Sequence, residues 1–282
     1  MTAALAVALI DLQELRSVPR TEVFPIETLA PQERILAEKW LLRLMDSEAL
    51  YTLVGGLKPM SSGWISLDSR KGLMSFNVDQ AQRVLSKFTV GKAITASLLP
   101  FAKTYNEKRT LEGYVFHTGA FMQAVEARQR LFSYFGITPQ MPPGEAILAF
   151  DSDASTDRFR AYGHLFGYPD YAVEFFAQAS DTQQADPEKK LVPRDFLSVP
   201  TFGRQTNQFV YAVPKGHTAR PEDEEIRKKA APILAMYRGL RSKWIQKDGR
   251  GSVGLLRDWM CKTDSECSPE IALQKANEMS SP

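Results

Sequence analysis

Residues 200–225, PTFGRQTNQFVYAVPKGHTARPEDEE, constrain the fold more than any other part of this chain. The apolar run 209–213 is rich in aromatic and β-branched residues, which favour an extended strand. A second short run, 197–199, lies across a loop containing Gly203, so the two are expected to pair as antiparallel strands. Pro221 then opens a helix expected over 222–247. Its missing N–H costs nothing in a first turn, and Glu222, Asp223, Glu224 and Glu225 complement the positive end of the helix dipole. Pro232 is expected to kink this helix, and the Gly249-Arg250-Gly251 run to end it.

Helical spacing dominates the rest. It predicts helices over 31–45, 48–54, 80–88 behind Asp79, and 118–135 between a Thr118 cap and Gly136. Further helices are expected up to Phe166 behind Asp153 or Ser155, over 171–179 behind Asp170, and over 253–259. Residues 93–105 read as helical or broken near Pro100, and 145–150 as a short apolar run. Strands are expected at 64–67 and 112–117. Together these describe an α+β fold, a mostly helical single domain with a few short antiparallel strands. Residues 1–26 read as an N-terminal extension, 27–262 as the domain and 263–282 as a polar tail. The polar stretch 181–190 is where the domain would subdivide.

Charge narrows the partners. Lys and Arg total 35 against 33 Asp and Glu, a net charge of +2. A nucleic-acid binder carries a larger and more clustered positive excess. The basic triplet 227–229 pairs instead with the acidic start of its own helix, Glu224 with Lys228 and Glu225 with Lys229 at i,i+4 spacing. No apolar stretch has the length of a membrane span, and the apolar run 3–10 lacks the basic start of a signal peptide. Cys261 and Cys267 flank a polar five-residue loop. They are either separate thiols or a small disulfide loop, which would imply a periplasmic or secreted protein; reduced thiols would fit the cytoplasm.

Chemistry-bearing residues gather in two places. Around the run 209–213 stand Arg204, Gln205, Thr206, Asn207, Lys215, His217 and Arg220, with Lys58 as an outlying candidate. Positive groups dominate this set, so an anionic or carboxylate-bearing ligand suits it. The second place is Asp151-Ser152-Asp153-Ala154-Ser155, which follows an apolar run. It resembles the first motif of haloacid-dehalogenase-type phosphatases, in which a strand presents two aspartates. The resemblance covers 145–155 only; it implies a nucleophilic Asp151, a proton-handling Asp153 and a magnesium ion. The other reading of these residues is a helix entrance whose side chains satisfy free backbone amides. As a calcium loop the segment has Thr156 where glycine is required and Tyr162 where the bidentate glutamate belongs, which rejects a standard EF-hand.

His117, His164 and His217 lie far apart with no HxH or HExxH spacing, and each is expected to serve structure. The chain has no G-x-S-x-G elbow, no phosphate loop and no G-x-G-x-x-G, so no motif names a cofactor. Phe159, Tyr162, Phe166, Tyr168, Tyr171, Phe175 and Phe176 keep helical spacing on both sides of Pro169. Core packing accounts for them; a pocket lined by their rings is the alternative. The sequence therefore points first to a non-catalytic binding or interaction protein, for a small anionic ligand or a protein partner. Second comes a metal-assisted hydrolase using Asp151 and Asp153, with His117 or His164.

Overall fold

The computed structural model describes residues 17–68, 78–101, 110–203 and 208–279. Helix α1, Pro31–Asp46, carries proline in its first turn and turns Trp40, Leu41, Leu44 and Met45 inward. The short α2, Leu50–Leu53, is buried throughout. Gly55 and Gly56, both at positive φ, then reverse the chain. Next come β1 (Met60–Ser61), β2 (Ser66–Asp68), α3 (Val78–Leu85), β3 (Ile94–Pro100) and β4 (Thr110–His117). β4 is the spine of this antiparallel sheet. It pairs with β3 from Ile94↔His117 to Pro100↔Leu111, and on its other edge with β1 and β2 in turn.

β3 corrects the helical expectation for 93–105 over residues 94–100; residues 102–105 lie outside the described residues. Its composition leaves local preference undecided, and the hydrogen-bonded ladder to β4 settles it, as tertiary pairing commonly overrides propensity. Pro100 occupies the last position of the strand, where a missing donor is least costly. The helix expected over 118–135 is two, α4 (Thr118–Ala127) and α5 (Gln129–Tyr134), interrupted at Arg128. Its cap is His117, whose Nδ1 accepts the Ala120 N–H at 3.2 Å, while the Thr118 hydroxyl donates to the Lys92 carbonyl.

Helices α6 (Pro143–Asp151), α7 (Asp157–Leu165) and α8 (Asp170–Ala185) follow, then the hairpin β5 (Arg194–Val199) and β6 (Phe209–Pro214). The hairpin pairs antiparallel with Leu197 opposite Tyr211, as the two apolar runs indicate. The long α9 spans Pro221–Trp244 with Pro232 inside it. Gly251, at φ 109°, starts α10 (Ser252–Met260); a Cβ there would sit 2.3 Å from the Trp244 carbonyl, so only glycine fits. β7 (Cys261–Thr263) and β8 (Glu266–Cys267) are bridged by a Cys261–Cys267 disulfide, and α11 (Pro269–Glu278) closes the chain.

The apolar side chains form two cores. The larger joins α1, α2, α3, α9, α10 and α11; the smaller joins Phe121, Phe132, Phe150 and Leu165 from α4 to α7. β4 serves both, since successive side chains point to opposite faces: Val115 enters the larger core, Tyr114 and Phe116 the smaller. Both ends of the described residues are knitted in. Val18 exchanges backbone hydrogen bonds with Cys267, and Val23 and Phe24 are buried within the stretch read as an extension. The stretch read as a polar tail contains α11, where the Ala272 carbonyl accepts the Trp259 indole N–H at 2.9 Å. Among the described residues, no helix is long and apolar enough to cross a membrane.

Candidate functional site

A cavity of about 450 Å³ opens where the smaller core meets the β5–β6 hairpin. One wall is the aromatic series along α7 and α8: Phe159, Tyr162, Phe166, Tyr168 and Phe176. The opposite wall is the hairpin, with Phe196, Val210, Tyr211 and Ala212. The rings form a connected ladder. Tyr162 stacks on Phe166 at 5.7 Å, Phe166 on Tyr168 at 5.8 Å, and Tyr168 meets Tyr211 at 5.6 Å. Phe176 and Phe196 remain 38% and 65% exposed, which leaves apolar rings at the surface beside the opening.

The far end is polar. Ser62, Glu112, Tyr114, Asp151 and Arg158 line it. The Tyr162 hydroxyl donates to Asp151 Oδ1 at 2.7 Å. Burial drives the Tyr162 and Tyr114 phenols far above their ordinary range, so both stay protonated donors. Arg158 donates from Nη1 to the backbone carbonyls of Asp151, at 3.3 Å, and Asp153, at 2.9 Å, and so closes the end of α6. Burial, reinforced by the negative charge of Asp151, pushes the Glu112 carboxyl above the usual carboxylate range.

Behind the ladder lies a second ionic feature. Lys58 is fully buried, with Nζ 3.1 Å from Glu48, 2.8 Å from the Phe166 carbonyl and 4.0 Å from the centre of the Phe209 ring. Burial lowers the Lys58 amine and raises the Glu48 carboxyl, each partly countered by the other. Lys58 thus braces Phe166 from behind and does not line the cavity.

Arg204, Gln205, Thr206 and Asn207 fall outside the described residues. The other cationic candidates do meet at one end of the hairpin, engaged with internal partners. Lys215 pairs with Asp195 at 2.6 Å. His217 Nε2 lies 3.0 Å from Asp223 Oδ2, and its ring stacks on Tyr171. The Arg220 guanidinium lies 4.1 Å over the Tyr171 ring, and the Arg220 backbone N–H donates to Asp223 at 2.7 Å. Tyr171 and Tyr211 also donate to Asp223, at 2.5 and 2.6 Å. Burial alone would raise the Asp223 carboxyl, but these donors outweigh it and hold it at about 2. Tyr211 ties the knot to the cavity: its hydroxyl is in the knot while the residue lines the wall.

No family model, curated protein or solved structure matches this chain.

The aspartate motif also takes a different form from the one its resemblance implies. Residues 143–151 are helix α6, not a strand, so Asp151 ends a helix. Asp153 Oδ1 accepts the backbone N–H of Ser155 at 2.7 Å, the helix-entrance role. His117 and His164 lie apart from the cavity: His117 Nε2 is 3.6 Å from Glu270, and His164 Nδ1 is 3.5 Å from Asp170. Burial lowers both imidazoles. Among the described residues, no group of three His, Cys, Asp or Glu side chains is arranged to hold a metal ion. Glu112 and Tyr114 were missed in the sequence because a lone carboxylate at the start of a strand carries no local signal; only the fold sets it beside Asp151.

Proposed function

We propose that this protein is a non-catalytic binding protein that holds a small, largely apolar molecule in the aromatic cleft. The supporting observation is the cavity of about 450 Å³ between the α7–α8 rings and the hairpin, a volume within the usual range for ligand pockets. Well-packed interiors keep few voids larger than a water molecule, so a cavity of this size framed by aromatic side chains favours an occupant. Two exposed rings, Phe176 and Phe196, give an apolar ligand an apolar way in. The cationic turn offers less, because Lys215, His217 and Arg220 are already engaged with Asp195, Asp223 and Tyr171. The anionic ligand suggested by the sequence therefore gives way to an apolar one. The hydrolase reading finds no support in an Asp153 turned toward Ser155.

The test is titration with the neutral dye N-phenyl-1-naphthylamine. Saturable 1:1 fluorescence enhancement is expected, weakened about tenfold or more by Ala212→Trp, which fills the cleft with an indole. No saturable enhancement, or the same affinity in a folded Ala212→Trp variant, refutes the reading.

A further inference from the structure

Resting on that reading, we infer that the polar end of the cleft receives a positively charged group, so that the ligand is an amphiphile with a protonated amine or quaternary ammonium head on an apolar body. Three independent observations converge on this. First, Glu112 and Asp151 both line the cavity, from the start of β4 and the end of α6. Second, the walls beside them are aromatic faces, whose negative quadrupoles attract cations and accommodate quaternary ammonium groups. Third, among the described residues one basic side chain, Arg158, lines the cavity, and its hydrogen bonds are made elsewhere. Arg158 points Nη1 at two backbone carbonyls, and its guanidinium lies 4.7 Å from the Phe159 ring centre. Among the described residues, no Lys, Arg or His forms an ion pair with Glu112.

Among the described residues, the groups facing Glu112 from neighbouring elements include a single cation, Arg158, whose hydrogen bonds go to backbone carbonyls and not to Glu112. Asp151 faces it from α6, Tyr162 and Arg158 from α7, Tyr114 from its own strand and Ser62 from the turn after β1. On the flanking strands it stands opposite Ser66 and Leu99, neither of which ionises. The raised carboxyl of Glu112 agrees with this: burial and Asp151 both oppose its negative charge. An ammonium head would relieve that opposition, and hydrogen bonds between charged groups are about twice as strong as neutral ones. The Tyr162 hydroxyl, already donating to Asp151, and the Tyr114 hydroxyl, bonded with Tyr162 and Ser62, would leave the head to Glu112 and the rings.

Isothermal titration calorimetry at pH 7 with three probes sharing one body separates this inference from the reading beneath it. The probes are 2-(2-naphthyl)ethylamine, 2-(2-naphthyl)ethanol and 2-naphthylacetate. The amine is expected to bind about tenfold or more tightly than the alcohol, with the acetate weakest. Glu112→Gln, checked for an intact thermal transition, is expected to bring the amine-to-alcohol ratio close to one. As the pH falls and Glu112 takes up a proton, the same ratio should shrink in the unsubstituted protein. An amine and alcohol of equal affinity, a preference for the acetate, or an undiminished ratio in folded Glu112→Gln overturns the cationic inference and leaves the cleft standing. Failure of all three probes to bind removes both.

Discussion

The Asp223 knot and the polar end of the cleft use the same parts, a carboxylate beside tyrosine hydroxyls, with opposite electrostatic results. Asp223 collects donors from Tyr171, Tyr211, His217 and the Arg220 backbone, and its carboxyl is held at about 2. Glu112 lines the same cavity as Asp151, and burial together with the negative charge of Asp151 pushes its carboxyl upward. In a low-dielectric interior, the count of donors decides whether a buried negative charge is an anchor or a liability. A satisfied knot rigidifies the fold. A carboxylate raised by burial beside a cavity is the feature on which the proposed ligand rests, since perturbed groups concentrate where proteins act. Tyr211 touches both places, with its hydroxyl on Asp223 and its residue in the cavity wall.

The largest expected effect lies in the knot. Asp223→Asn keeps the volume but places an amide donor against groups that already donate. It should cost about 2–4 kcal/mol and lower the melting temperature by roughly 5 °C or more. The pH dependence has a definite sign. Because folding lowers the Asp223 carboxyl from 3.8 to about 2, its stabilisation is complete above 3.8 and disappears as the pH falls through about 2. Acid melting curves should lose this component in Asp223→Asn. An unchanged melting temperature would mean that the knot does not brace the hairpin.

The smaller effect has the opposite sign. Glu112→Gln imitates the protonated side chain that the cleft prefers, so the unliganded protein should melt roughly 1–3 °C higher at neutral pH. A carboxyl raised by folding favours the native state below its ordinary value of 4.5, and that advantage fades as the pH rises through its folded value. The variant's gain should therefore vanish in acid. A lower melting temperature at neutral pH would show that Glu112 has a cationic partner and would erase the contrast with Asp223.

Much of the frame was legible in the sequence. The helix at 31–46 announced itself by apolar spacing and Pro31, and α9 by Pro221 with its acidic first turn. The hairpin followed from two apolar runs across a glycine-containing loop. These signals are local, as is the closure of the short Cys261–Cys267 loop. β3 was not legible, because its identity comes from a partner strand that begins ten residues after it ends. The aspartates of 151–153 suggested a strand motif, and only packing shows them finishing one helix and preparing the next. The site divided the same way. The rings of α7 and α8 were visible as a cluster, with a pocket as one of two readings. Glu112 was invisible, since its meaning depends on Asp151, thirty-nine positions away. The cationic turn shows a related gap: sequence shows where charges are, but not that Lys215 pairs with Asp195 and His217 with Asp223.

Nuclear magnetic resonance titration of the side-chain carboxyl carbons, with and without 2-(2-naphthyl)ethylamine, tests the contrast between the two regions most directly. Asp223 should titrate near 2 in both samples, and Glu112 above 4.5 alone but lower once the amine is bound. A Glu112 that titrates at its ordinary value and ignores the amine would contradict the account.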